Sequence, residues 1–330
     1  MSTVNATSYK DASGGSNAVL YGVAAPANSM GFRNRLMNAN MAIAQRATSA
    51  TVTAGTAVPT ASTGYPAVDR FFVYSTGANV TAARVAGAGN TQYRMQITGA
   101  ASVTAVGVGQ RIEQSNSYDL AGGNATLSVD LANSLLTTVT WTASYATTAD
   151  TFGTIGTPTK TQIATGTFTV NSTVTNYTAT FAVPAAATTG VEVLLTVGAQ
   201  TSGTWTIGNI QLEAGSVASP FQRIDYGRQL IQCQRYYQKT GGYFAATQSG
   251  NELNAVGSCN VKVEMRAPPT AILPAGSRFH KPGVAFYSIT AIDSGPQANG
   301  DGYQTATIAA GAGTSTVGQI ESGLILSAEL

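Results

Sequence analysis

The sequence predicts an all-β protein: an antiparallel sandwich or barrel first, then one helix, then a smaller β domain. Three observations carry this. Apolar residues alternate with polar ones at a period of two in segment after segment between about residues 35 and 215. Gly and Asn clusters punctuate those segments, as at 87–90, 122–124 and 198–203. No helix-period stretch interrupts them, which excludes alternating β-α-β architectures.

Residues 1–34 come first, polar and rich in Gly, Asn and Ala, with no sustained period. Such a segment cannot bury enough apolar surface to order itself. It is expected to gain order by docking on a neighbour, as an attachment arm. The strands follow, near "VDRFFVYS" (68–75), "QYRMQI" (92–97), "QRIEQ" (110–114) and "ATLSVDL" (125–131). In "TVTWTASYA" (138–146), Val139, Trp141, Ala143 and Tyr145 share one face. "GTFTV" (166–170), "NYTATFAV" (176–183) and "VEVLLTV" (191–197) continue the series. Trp141 and Trp205 alternate with polar neighbours, so both are assigned to the core rather than to sugar stacking.

The stretch from Thr204 to Lys239 concentrates charge in a chain that has little. Trp205 and Ile207 share a strand face. After Gly208 the apolar phase moves to Ile210 and Leu212, as a β-bulge would require. Pro220 and Phe221 end the extended run, and Asp225 is placed to cap a helix. Tyr226, Leu230, Cys233 and Tyr237 fall at i, i+4, i+7 and i+11, one helical face, with Gly241 and Gly242 as the stop. The sequence therefore divides at 1–34, 35–225 and 226–330. Four or so strands are expected after the helix, at 258–273, 283–293, 303–310 and 318–330.

Composition limits function. Charged residues are 10% of 330, and the net charge is +2 with no basic run, so no nucleic-acid partner is predicted. A surface of hydroxyls and small groups is poorly defended against self-association, which suits a subunit of a fixed assembly. No stretch reaches the roughly 20 apolar residues of a membrane span, and the N-terminus lacks a basic region followed by an apolar one. One histidine and two cysteines predict no metal site and no cofactor. Cys233, on the apolar helix face, reads as a small buried hydrophobe.

Two carboxylates, Glu213 and Asp225, could be a glycosidase pair. Arg223, Arg228 and Arg235 nearby would keep them ionised, whereas a general acid needs a raised pKa. Glu213, Pro220, Phe221, Asp225, Arg235, Tyr236 and Tyr237 are therefore assigned to a structural hinge between sandwich and helix, and no enzyme is predicted. Receptor contact is assigned to residues of the turn-rich C-terminal part: Tyr243, Phe244, Phe279, His280 and Tyr303.

"IGNIQLEAGSVASPFQRIDYGRQLIQCQRYYQK" (207–239) resembles a motif recurrent in bacteriophage tail-fibre and related virion proteins. In that motif a "QLE-G-…-PF" segment closes a jelly roll and a "…L…CQRYY" helix follows. The matching positions are Gln211, Leu212, Glu213, Gly215, Pro220, Phe221, Leu230, Cys233, Gln234, Arg235, Tyr236 and Tyr237. "DRFFVY" (69–74), "LAGGNATLSVDL" (120–131), "VEMRAPPT" (263–270) and the "AEL" at 328–330 are similar to further parts of the same family. "RQL" departs from it where an acidic residue is more usual before the helix leucine. The resemblance implies a jelly-roll fold and a short tail fibre assembled in the host cytoplasm. It further implies attachment to other virion proteins through residues 1–34, a homotrimer, and adhesion to a host cell-surface glycan or protein. A head decoration protein or capsid fibre is the alternative. A polysaccharide-degrading enzyme ranks behind both.

Overall fold

A computed structural model describes residues 32–330 apart from 61–62, 90, 241, 250–251, 260, 273–277, 282–284, 293–303, 309–315 and 321–323. Within 241–260 and 273–324 the description is of backbone pairing. The attachment arm predicted at 1–34 lies, for residues 1–31, outside the described residues.

The sandwich strands run in chain order as β1 (Ser49–Val52), β2 (Phe72–Thr76), β3 (Val80–Ala86), β4 (Tyr93–Thr98), β5 (Ala105–Ile112) and β6 (Asn124–Asn133). They continue as β7 (Thr138–Ala146), β8 (Lys160–Thr169), β9 (Thr175–Ala182), β10 (Val191–Val197) and β11 (Thr204–Ala214). One sheet has the order β1-β3-β4-β11-β6-β9 and the other β2-β5-β10-β7-β8, with antiparallel pairing throughout. Their facing sides share one core, with Val73, Val106, Val108, Val139 and Leu195 from one sheet and Met95, Ile97, Leu127, Trp205 and Leu212 from the other. This is the antiparallel jelly-roll sandwich the sequence predicts.

The period-two segments fall where expected because burial on one face is what the alternation encodes. Trp205 is fully buried, and Trp141 stacks on Phe181 across the core at 5.3 Å. The bulge lies between Gly208 and Gln211 of β11, with Asn209 at φ +41°. The left-handed Asn209 side chain donates to Asp130 Oδ2 and Thr91 Oγ1, which fixes the turn of the chain. Strands β1 and β3 are additions to the prediction. Their inward residues, Val52 on β1 and Val80 and Ala82 on β3, are too small and too few to mark a period.

On the opposite face of the five-stranded sheet, glycine makes room for aromatic rings. A Cβ on Gly107 would meet Tyr74 at 2.1 Å, and one on Gly109 would meet Phe72 at 2.4 Å. The cross-strand partners Tyr74 and Phe72 thus lie flat over β5. Residues beyond the sandwich then cover this face. Met37, Phe152, Tyr236 and Leu330 form a second apolar cluster there.

Helix α1 (Tyr226–Gln234) is shorter than predicted and turned differently. Asp225 caps it, accepting from Gly227 N and Arg228 N. Its buried residues are Gln229 and Cys233, whereas Tyr226 is exposed. Tyr237 does not lie on a helix face. It opens β12 (Tyr237–Thr240), and helix geometry ends before Gly241 is reached. The apolar spacing misled because Tyr236 and Tyr237 are buried by the sandwich after the helix has stopped, not by the helix.

The C-terminal part is also more divided than the four or so strands expected. It contains β13 (Gly242–Ser249), β14 (Glu252–Cys259), β15 (Thr270–Ile272), β16 (Arg278–Lys281), β17 (Ala285–Ile292), β18 (Gln304–Ile308), β19 (Thr316–Ile320) and β20 (Leu324–Ser327). Six of them close a barrel in the order β13-β14-β18-β17-β16-β19. The sheet β12-β20-β15 is separate from it.

Candidate functional site

A cluster of ion-paired charges lies over the covered face of the five-stranded sheet. Arg111 of β5 and Glu192 of β10 are direct cross-strand partners, joined Nε to Oε2 at 2.9 Å and both buried. Lys160 of β8 donates to the other Glu192 oxygen. Glu329, just after β20, accepts from Arg46 Nη2 at 3.1 Å and from Arg70 Nη1. The Arg70 guanidinium lies 3.4 Å from the Tyr236 ring centre, and that of Arg46 lies 3.8 Å from Tyr237. Arg70 Nη2 donates to Arg111 O at 2.7 Å. Leu330 O accepts from Arg111 Nη1 at 2.7 Å and Tyr65 Oη at 3.1 Å. Each of these clustered charges therefore meets an opposite charge or an aromatic face, as burial demands.

Burial raises the Asp69 carboxyl above its ordinary value, opposed by Arg46 and by two hydrogen bonds from Gln45. It also raises the Tyr65 and Tyr236 phenols and, strongly, the Cys233 thiol. Cys233 is a free, buried cysteine, as its sequence context predicts.

The residues that the sequence assigns to a hinge take several different places. Glu213 is buried at the end of β11 and accepts from Gln211 Nε2 at 2.9 Å, from Ser219 N at 2.8 Å and from Ser219 Oγ. It thereby folds the segment up to Pro220 and Phe221 back on the strand. Asp225 is spent on the helix cap. Arg235 Nη2 reaches Glu113 Oε2 at 3.1 Å. Tyr236 and Tyr237 fill the cluster from above. Of the residues to which the sequence assigns receptor contact, Tyr243 and Phe244 are on β13, and Phe279 and His280 are on β16, where backbone pairing alone is described. Tyr303 lies outside the described residues.

A cleft of about 520 Å³ opens at the edge of the cluster. It is lined by Glu113, Tyr118, Asp150, Arg235 and Arg266, together with Gln114, Ser115 and Thr188. Of these the sequence reading singled out Arg235. Tyr118 sits on a short 3-10 turn (Tyr118–Leu120) whose Leu120 is buried in the core, and the residue remains 59% exposed. Asp150, at φ +56°, accepts from Gln114 N through Oδ1 at 2.7 Å. Burial raises its carboxyl, against that hydrogen bond and the charges of Arg266 and Arg235. Arg266 is held by Nε to Ala328 O at 2.9 Å and by its backbone N to Arg235 O at 2.9 Å. Its terminal nitrogens make no hydrogen bond among the described residues.

No protein-family model matches the chain, and no curated protein matches it. Among solved structures, similarity extends to a carbohydrate-binding module (CBM4) at 12% identity and a TM-score of 0.36, over 54% of this chain and 98% of the other. It extends to a putative sugar binding protein from Bacteroides thetaiotaomicron at 12% identity and a TM-score of 0.35, over 56% of this chain and 100% of the other. The enzymatically active domain of bacteriophage CBA120 tailspike protein 4 matches at 16% identity and a TM-score of 0.33, over 48% of this chain and 21% of that one.

Proposed function

We propose that the protein is a non-enzymatic virion structural protein of a bacteriophage, a short tail fibre that contributes to host adhesion. It attaches to other virion proteins through residues 1–34, assembles as a homotrimer in the host cytoplasm, and meets a host surface glycan or protein. The observation that carries this reading is the construction of the 207–239 segment, the same stretch that resembles phage tail-fibre proteins. Its residues pin the end of β11, cap α1 and drive Tyr236 and Tyr237 into the buried charge cluster. Such an arrangement supports a structural joint better than a set of groups poised for chemistry. A fibre needs such a joint to hold its outer part at a fixed angle.

Antibody labelling of intact virions tests the reading. Label at the tail is the expected result. Label on the head surface would replace the fibre with a decoration protein. Purified protein should also compete with virions for adsorption to host cells, and failure to compete would remove the adhesive role.

A further inference from the structure

We propose that the cleft formed by Glu113, Tyr118, Asp150, Arg235 and Arg266 binds one neutral pyranose unit of a surface glycan. This rests on the adhesive reading above and gives it a location on the sandwich. Three features of the cleft point to a sugar. Its volume of about 520 Å³ lies within the usual range of small-ligand sites. Tyr118 presents an exposed ring at the rim on a turn that Leu120 fixes in the core, a flat apolar face for the C–H side of a pyranose. Facing it are donors and acceptors already held in place. Asp150 keeps one oxygen on Gln114 N and leaves Oδ2 without a hydrogen bond among the described residues. Arg266 is clamped through Nε and leaves its two terminal nitrogens available. Ser115 and Thr188 add hydroxyls. Vicinal sugar hydroxyls both donate and accept, and this set offers both.

The charge balance selects among ligands. Two carboxylates, Glu113 and Asp150, face two guanidiniums, Arg235 and Arg266. Glu113 and Arg235 already neutralise each other at 3.1 Å. An anionic sugar or phosphate would gain Arg266 and lose against Asp150, so a neutral polyol is favoured.

The full-length chain is to be tested by saturation-transfer NMR against methyl pyranosides of the common neutral hexoses, their 6-deoxy forms and their N-acetyl derivatives. Methyl galacturonate and inorganic phosphate serve as anionic probes. At least one neutral pyranoside should bind. Tyr118→Ala and Asp150→Asn should each weaken it by about tenfold or more. Asn keeps the Oδ1 acceptor and tolerates positive φ, so Asp150→Asn separates loss of binding from loss of fold, which circular dichroism checks. Binding by no neutral pyranoside, binding of the anions alone, or unchanged affinity in both variants would overturn the assignment. The two readings fail separately. If Tyr118→Ala competes for adsorption as well as the parent does, adhesion stands and the cleft is not its site. If the parent binds a sugar through the cleft but does not compete, the cleft stands and the adhesive role falls.

Discussion

Glu329 is the carboxylate on which the buried charges of Arg46 and Arg70 depend. Arg70 is fully buried, and its ion pair is with this carboxylate, which Arg46 also reaches. Glu329→Ala should therefore cost about 3–5 kcal/mol, because it leaves a guanidinium in the interior without its counter-charge. Urea denaturation measures this, and a loss below about 1 kcal/mol would mean that water enters the cluster. Tyr237→Ala should cost about 3 kcal/mol or more, since its ring is packed under Arg46 and buried. Cys233 should resist thiol reagents in the folded protein, because burial keeps its proton on. Peptide mapping after labelling distinguishes it from Cys259, and fast modification of Cys233 before unfolding would contradict the packing.

At the scale of elements, Asp225→Ala should cost about 1 kcal/mol, the value of a helix cap. Helix α1 was legible at its start for this reason, since a cap is a local signal. Its end was not, because Tyr236 and Tyr237 continue an apolar spacing that the sandwich satisfies. The long strands were legible through side-chain alternation over eight or so residues, as in β7 and β9. β1 and β3 were not, being made largely of Thr and Ala, with few large apolar side chains to mark a period. The bulge at Gly208 was visible as a phase slip, since one extra residue reverses which side chains face inward. The cleft was almost invisible. Glu113, Asp150, Arg235 and Arg266 lie on four separate stretches, and each alone reads as an ordinary surface charge.

For the whole molecule, pH acts through the buried acids. Tyr65 and Tyr236 keep their protons in the folded state to a higher pH than the ordinary phenol value of 10.0, and Cys233 does so above 9.0. The unfolded chain releases these protons at the ordinary values. It therefore binds fewer protons than the folded chain at alkaline pH, and stability falls as pH rises through about 9 to 10. Denaturant midpoints between about pH 8 and about pH 11 should decline, and less steeply in Tyr65→Phe. A flat profile would show that these groups titrate alike in both states. Assembly is a second property at this scale. Sedimentation of the full chain should give three times the subunit mass, and a strict monomer at high concentration would remove the trimer.

The position of Glu329 also sets an order of events during synthesis. Arg70 is made early, yet its counter-charge stands 259 residues later in the chain. Tyr237 likewise waits for Ser327, its β-ladder partner. While the ribosome is still elongating, the sandwich strands can pair and Arg111 can meet Glu192, but Arg46 and Arg70 lack the Glu329 carboxylate and the Tyr236 and Tyr237 rings wait for the strand that pairs with β12. Closing so long a loop adds only slowly growing entropy, but it cannot happen before the distal residues emerge. A chain interrupted before Glu329 would lack this closure, leaving buried-type guanidiniums uncovered on the sheet for proteases and chaperones to meet. Glu329 in this sense ties the stability of residues made early to a segment that stands 259 residues after Arg70.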